Sequence, residues 1–256
     1  TLSSSSAASD VYKRQPYFYH NKLLINSMTL QAISKGFEHF KNVGLKFSLY
    51  IFPLIILFGF LASLGSASSF SGDISNADIT LLLLNNFLVS PLVTIVAILL
   101  ANDLIENKNR DVLVYYAISW KFLIKILILS LITTMIIGIG LILFIIPGIL
   151  FAGFLLFVNY FAILENKSVM ESIISSYEKS KSNFLQCILM ASFFWIITIL
   201  SITSLSSLGS GYEGKEQIPQ IFTIFASCLA IYVQVCLISF PILIFYRKQK
   251  LNKIED

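Results

Sequence analysis

The sequence predicts an all-α fold: a polytopic membrane helical bundle of about six transmembrane helices plus interfacial amphipathic helices. Three observations predict it. Of the 256 residues, 56% are hydrophobic and only 12% charged, where soluble domains carry about 25% charged residues. Ile126–Leu164 contains no charged residue and is long enough for two crossings of about 20 residues each. With both ends of residues 28–256 placed in the cytoplasm, fourteen lysines and arginines fall inside and Lys215 alone outside, as the positive-inside rule requires.

Residues Thr1–Gln15 are Ser-rich and lack an apolar run. They resemble translated adapter sequence, and 16–27 read as translated leader, so 1–27 are expected to be a non-native or disordered extension. Residues 28–256 are expected to form a single integral membrane domain. Leu30, Ile33, Phe37, Phe40 and Leu45 recur at near-helical spacing with Lys35, Glu38 and Lys41 between them, which predicts an interfacial helix leading into the bilayer. Leu45–Leu64 is the first crossing, with Lys46 placed to snorkel and Pro53 to kink it. A Ser/Gly loop, Gly65–Asp78, precedes the second crossing, Ile79–Ala101, which contains Asn85, Asn86 and Pro91.

Asn102–Asp111 is polar, and Val112–Lys121 is a further interfacial stretch in which Tyr115, Tyr116 and Trp120 suit the aromatic belt. The uncharged run after it reads as a helical hairpin with its turn at Ile146–Gly148, where Pro147 removes a backbone donor. Ser168 and Glu171 form a capping box opening a short surface helix. Val169, Met170, Ile173, Ile174 and Tyr177 fall on one side of it; Glu171, Ser175, Glu178 and Ser182 fall on the other. Such a helix lies flat in the headgroup layer. The fifth crossing is Phe184–Leu205, followed by a loop over Ser206–Ile218. Pro219 opens a final helix to Tyr246, and a basic tail follows. An interfacial helix followed by two crossings recurs loosely from Leu30, Val112 and Ser168, a pattern that six-helix topology alone also produces.

Chemistry-bearing patterns are sparse. The net charge of +4 is spread over several positions, which excludes a nucleic-acid-binding block. His20 and His39 lack a partner histidine at helical spacing, and Cys187, Cys228 and Cys236 read as apolar packing residues, so no metal site is expected. Neither a cofactor nor any catalytic residue is assigned, and the protein is not expected to be an enzyme. Glu165, Glu171 and Glu178 read as a solvated face. Gly138 and Gly140 read as close packing or flexibility. Lys125 lies a turn inside the third crossing and can snorkel out. Asn85, Asn86, Asn159, Gln186 and Gln234 read as interhelical hydrogen bonding, with a substrate path as the alternative.

The segment from Ile146 to Phe184, with Pro147, Gly148, Asn166, Lys167, Ser175, Ser176 and Asn183, resembles the central signature of the YciC-like family of bacterial inner-membrane proteins. The resemblance extends from Met28 to the closing Phe245–Gln249. It implies a multi-pass protein of the bacterial inner (cytoplasmic) membrane. Membrane regions related to that family also occur fused to glycerophosphodiester phosphodiesterases, which hints at work close to lipid. The expected function is therefore a non-enzymatic accessory or envelope-maintenance role, acting through the lipid bilayer and a membrane-protein partner or homo-oligomer. A transporter or lipid-handling protein is the alternative.

Overall fold

A computed structural model describes residues 6–67, 76–210 and 220–252. They form α1 (Ser6–Ala67), α2 (Asn76–Leu84), a π-helical turn (Asn85–Val89), α3 (Ser90–Ile105) and α4 (Val112–Leu143). Then follow α5 (Ile145–Phe154), α6 (Val158–Leu164), α7 (Val169–Ser182), α8 (Phe184–Ser210) and α9 (Gln220–Asn252). There is no strand among the described residues. Thr29–Ala62, Ile79–Ile105, Val112–Leu143, Ile145–Leu164 and Ile224–Lys248 are each long and apolar enough to cross a membrane. The pair α7–α8, bent by 111°, brings the number to six. This is the architecture of a multi-pass helical membrane protein, in which backbone polar groups are satisfied within each helix.

The outer surface agrees. Along α4, Ile124, Ile128, Leu131, Met135, Ile139 and Ile142 form an exposed apolar stripe, far longer than the patches that soluble monomers leave to water.

The surface helices differ from expectation. The segment from Leu30 and the segment Val112–Lys121 are not separate interfacial helices but continue into the crossings as parts of α1 and α4. A change from amphipathic to apolar pattern does not by itself interrupt a helix; a kink needs a backbone device. Only α7 has one, at Asn183, where φ is −132° and ψ 44°. The loose repeat is thus absent from the helix boundaries. α1 also passes the expected boundary at Met28, and Pro53, without interruption.

The hairpin turn is displaced. Phe144, with φ −162° and ψ 151°, is the single extended residue between α4 and α5, so the chain reverses before Pro147. The proline then sits in the first turn of α5, where its missing N–H has no helical acceptor to leave empty. Gly140 and Gly148 let the two arms touch: a Cβ on Gly140 would lie 2.9 Å from the Gly148 Cα.

In the second crossing, Pro91 cannot donate to the carbonyl one turn back. The π-helical turn ahead of it absorbs the mismatch, with the Ser90 N–H bonded to the Asn85 carbonyl.

α1 packs along α9 through small residues and rings. A Cβ on Gly36 would stand 2.7 Å from the Pro241 backbone nitrogen, and Phe40, Phe47 and Phe240 meet edge to face. Cys187 and Cys236 are buried, Cys228 is half-buried, and none of the three is in a disulfide among the described residues.

Helix takes in the ends of the expected loops, whose middles, 68–75 and 211–218, lie outside the described residues. α1 reaches Ala67, α2 starts at Asn76, and α8 reaches Ser210. Pro219, Lys215 and the last four residues lie outside the described residues.

Candidate functional site

The fourth crossing is broken. α5 ends at Phe154, and α6 begins at Val158. Between them, Leu155 (φ −95°, ψ 6°) and Phe157 (φ −101°, ψ 4°) leave the α-helical path. Backbone groups released inside an apolar bundle need other partners. α7 supplies them from Ser176 and Ser180, which with Ser172 form a row of serines four residues apart, all 0% exposed.

The Phe157 N–H donates to Ser176 Oγ at 3.1 Å, and Ser176 Oγ donates to the Phe154 carbonyl at 2.8 Å. Ser180 Oγ donates to the same carbonyl at 3.3 Å. Ser176 therefore bridges the gap with one hydroxyl. This serine face is the packed face of α7, and division into an apolar and a charged side overlooked it. The i, i+4, i+8 spacing of serines was the available signal. Of the apolar residues, Val169 and Ile173 pack on the core, while Met170, Ile174 and Tyr177 remain exposed.

The capping box forms as expected: the Glu171 N–H donates to Ser168 Oγ at 3.4 Å, and the Ser168 N–H donates to Glu171 Oε2 at 3.0 Å. The backbone hydrogen bond from Ser168, then its hydroxyl, hold the Glu171 carboxyl below the usual carboxylate range. A depressed carboxyl pKa stabilises the fold above the ordinary carboxylate range, and this stabilisation is lost as pH falls through the folded-state pKa. Amide exchange over the first turn of α7 is therefore expected to accelerate in acid in the native chain. In Glu171→Gln, which keeps the box without a titrating group, that acceleration should vanish; an unchanged acid response would contradict this assignment.

At the far end of α7, Lys179 Nζ donates to the Tyr246 carbonyl at 2.8 Å and stands 3.9 Å from the Tyr246 ring centroid. α7 is thus fastened both to the break and to α9.

On its other side the break lines a cavity. This cavity, of about 400 Å³, is bordered by Ser90 and Thr94 of α3, Thr133 of α4, and Leu155, Leu156, Val158 and Asn159 at the break. Tyr160 of α6, Phe194 and Trp195 of α8, and Gln234 and Ser239 of α9 complete this polar and aromatic part of the wall, and no charged side chain among the described residues lines it. Asn159 and Gln234, 75 positions apart in the chain, thus meet at one cavity. Asn85 and Gln186 lie elsewhere, each buried with a side-chain oxygen that has no hydrogen-bond partner among the described residues. Asn86 is exposed.

A second, more polar pocket of about 770 Å³ lies at the end of the bundle where α3 and α6 stop and α4 begins. Arg110 Nε pairs with Asp103 Oδ2 at 3.0 Å, and the Tyr115 hydroxyl donates to the same oxygen at 3.0 Å. Arg247 Nη2 lies 2.6 Å from Glu106 Oε1 and donates to Asn102 Oδ1 at 2.6 Å. Lys108 Nζ lies 2.6 Å from Glu106 Oε2. The hydrogen bond from Lys108, joined by the charge of Arg247, holds the Glu106 carboxyl below its usual range.

Glu165 accepts a hydrogen bond from the Tyr246 hydroxyl at 2.5 Å and pairs with Lys167 at 3.1 Å. Sequence reading took this region only as polar and missed the network. Lys125 Nζ reaches the same end, donating to Asn166 Oδ1 at 2.9 Å, and Lys46 donates to Asn109 there. Gly140 is closely packed, whereas Gly138 has open space where a Cβ would stand. Among the described residues, no group of three His, Cys, Asp or Glu side chains could hold a metal ion.

Fold and cavities define an α-helical multi-pass membrane protein with an uncharged, partly open cavity at a broken crossing. No family model matches the chain, and no curated protein or solved structure matches it.

Proposed function

We propose that this protein serves a non-enzymatic accessory or envelope-maintenance role by binding and handling a lipid or similar amphiphile. The observation that carries this reading is the uncharged cavity bounded by the broken fourth crossing, where Asn159 and Gln234 converge. Its volume of about 400 Å³ falls within the usual range of ligand pockets. Interrupted helices line substrate sites in membrane transporters because their freed backbone can face a cavity without facing lipid. Neutral amides, hydroxyls and apolar walls suit an uncharged part of an amphiphile and offer nothing to compensate a bare ion.

The resemblance to the YciC-like family supports a bacterial inner-membrane setting. The gathering of Lys46, Lys108, Arg110, Lys125, Lys167, Lys179 and Arg247 at one end of the bundle supports a cytoplasmic position for that end. Both ends of residues 28–256 then lie in the cytoplasm. The exposed Met170, Ile174 and Tyr177 on α7 favour contact with the headgroup layer or a membrane-protein partner.

The test is native mass spectrometry of the full chain released from membranes. Wild type is expected to retain lipid. Asn159→Leu combined with Gln234→Leu is expected to lower retention about tenfold, two hydrogen bonds of about 0.5–1.5 kcal/mol each. Equal retention in a variant of unchanged thermal stability would return both amides to a purely structural role.

A further inference from the structure

We infer that the polar pocket at the basic end of the bundle receives a zwitterionic headgroup, a phosphodiester bearing a primary ammonium. The inference rests on the lipid-handling reading and adds the class of headgroup.

Charge balance is the first observation. Six charged side chains line the pocket, Asp103, Glu106 and Glu165 against Lys108, Arg110 and Arg247, and their formal charges cancel. An anion entering such a site gains its cations but leaves the carboxylates facing it uncompensated, and a cation meets the converse. A ligand with both charges exchanges pair for pair: its phosphodiester takes the guanidinium and ammonium donors while its own ammonium takes the released carboxylates.

Spatial arrangement is the second. Lys108 and Arg110 are the more open partners of their pairs, with side chains 56% and 40% exposed, so they can turn toward a phosphodiester. Asp103, 3% exposed, keeps the Tyr115 hydroxyl at 3.0 Å and stays in place. Glu165 lies across the pocket at the end of α6, within hydrogen-bond reach of the Tyr246 hydroxyl.

The third observation separates a primary from a quaternary ammonium. Recognition of a quaternary head uses open aromatic faces. Of the rings that line the pocket, Tyr246 has Lys179 Nζ 3.9 Å from its centroid and Phe122 has Lys125 Nζ 5.3 Å from its own, so the protein's own ammonium groups lie over those rings. Carboxylates accepting N–H donors remain, and a quaternary nitrogen has none to give.

The pocket and the cavity at the break share four lining helices, α3, α4, α6 and α9. One amphiphile can lie along these helices with its head among the charges.

The experiment places the full chain in nanodiscs containing equal parts of phosphatidylethanolamine, phosphatidylglycerol and phosphatidylcholine. Retained lipid is then counted by native mass spectrometry. Phosphatidylethanolamine is expected to be enriched at least fivefold over each of the others. Glu165→Gln, which leaves the pocket net positive, should shift the preference toward phosphatidylglycerol. Lys108→Gln, at the exposed rim, should cut phosphatidylethanolamine retention several-fold at unchanged thermal stability.

Soluble glycerophosphoethanolamine, itself a phosphodiester, added at millimolar concentration distinguishes the sources: displacement of the lipid assigns the site to the free headgroup compound, and persistence assigns it to the membrane lipid. Bound lipid without headgroup preference, or with phosphatidylglycerol preferred by wild type, overturns this inference and leaves lipid handling standing. No retained lipid in wild type overturns both.

Discussion

Replacing Ser176 and Ser180 together by Ala is expected to unfasten the fourth crossing. The Phe157 N–H and the Phe154 carbonyl lose the hydroxyls that now satisfy them at 3.1, 2.8 and 3.3 Å. Each unsatisfied buried polar group costs about 1–3 kcal/mol, so the double variant should lose about 2–6 kcal/mol. Ser172→Ala is the matched control. Its hydroxyl bonds to the Ser168 carbonyl at 2.7 Å, within its own helical turn, and its removal frees no group at the break. Hydrogen exchange should rise sharply across Leu155–Val158 in the double variant and hardly change in the control. Equal exchange in the two would show that the serines do not hold the break.

Two glycines two residues apart, on opposite sides of α4, provide the second large effect. On Gly140 a Cβ would stand 2.7 Å from Phe151 Cδ2 and 2.9 Å from the Gly148 Cα, whereas on Gly138 it meets nothing within 4 Å. Backbone cannot yield as the end of a side chain can, so Gly140→Ala must spread the α4–α5 hairpin at a cost of about 1–3 kcal/mol. Gly138→Ala should instead gain up to about 1 kcal/mol from helix propensity. Thermal unfolding in detergent micelles reads both; a common sign would contradict the close approach at Gly140.

The helices were legible because their signals are long. The uncharged run from Ile126 to Leu164 and the separation of charges survive any local error in boundaries. The capping box at Ser168 was legible too, since both of its hydrogen bonds lie within four residues. The hairpin turn shifted from Pro147 to Phe144 because a proline marks either a turn or the first turn of a helix, and sequence alone does not separate them.

The break at Leu155–Phe157 carries no such marker: LLF is a run that any apolar helix tolerates. It depends on Ser176, about 20 residues away in the chain, and tertiary hydrogen bonds of this kind leave only a faint trace in spacing. The cavity is harder still. Asn159 and Gln234 were visible as intramembrane amides, but their meeting requires the packing of α6 against α9. The ion network likewise joins Glu106 to Arg247, 141 positions away in the chain.

Photo-cross-linking addresses the lipid-binding cavity most directly. A phospholipid carrying a photoreactive group partway along one acyl chain is incorporated into membranes containing the protein. After irradiation, the modified residues are mapped by mass spectrometry. Occupancy of the cavity predicts attachment at Leu155, Leu156, Asn159 and Gln234, abolished in Asn159→Leu with Gln234→Leu. Attachment confined to the outer stripe of α4, at Ile128, Leu131 and Met135, would show that lipid only surrounds the bundle and would contradict a lipid-binding role for the broken crossing.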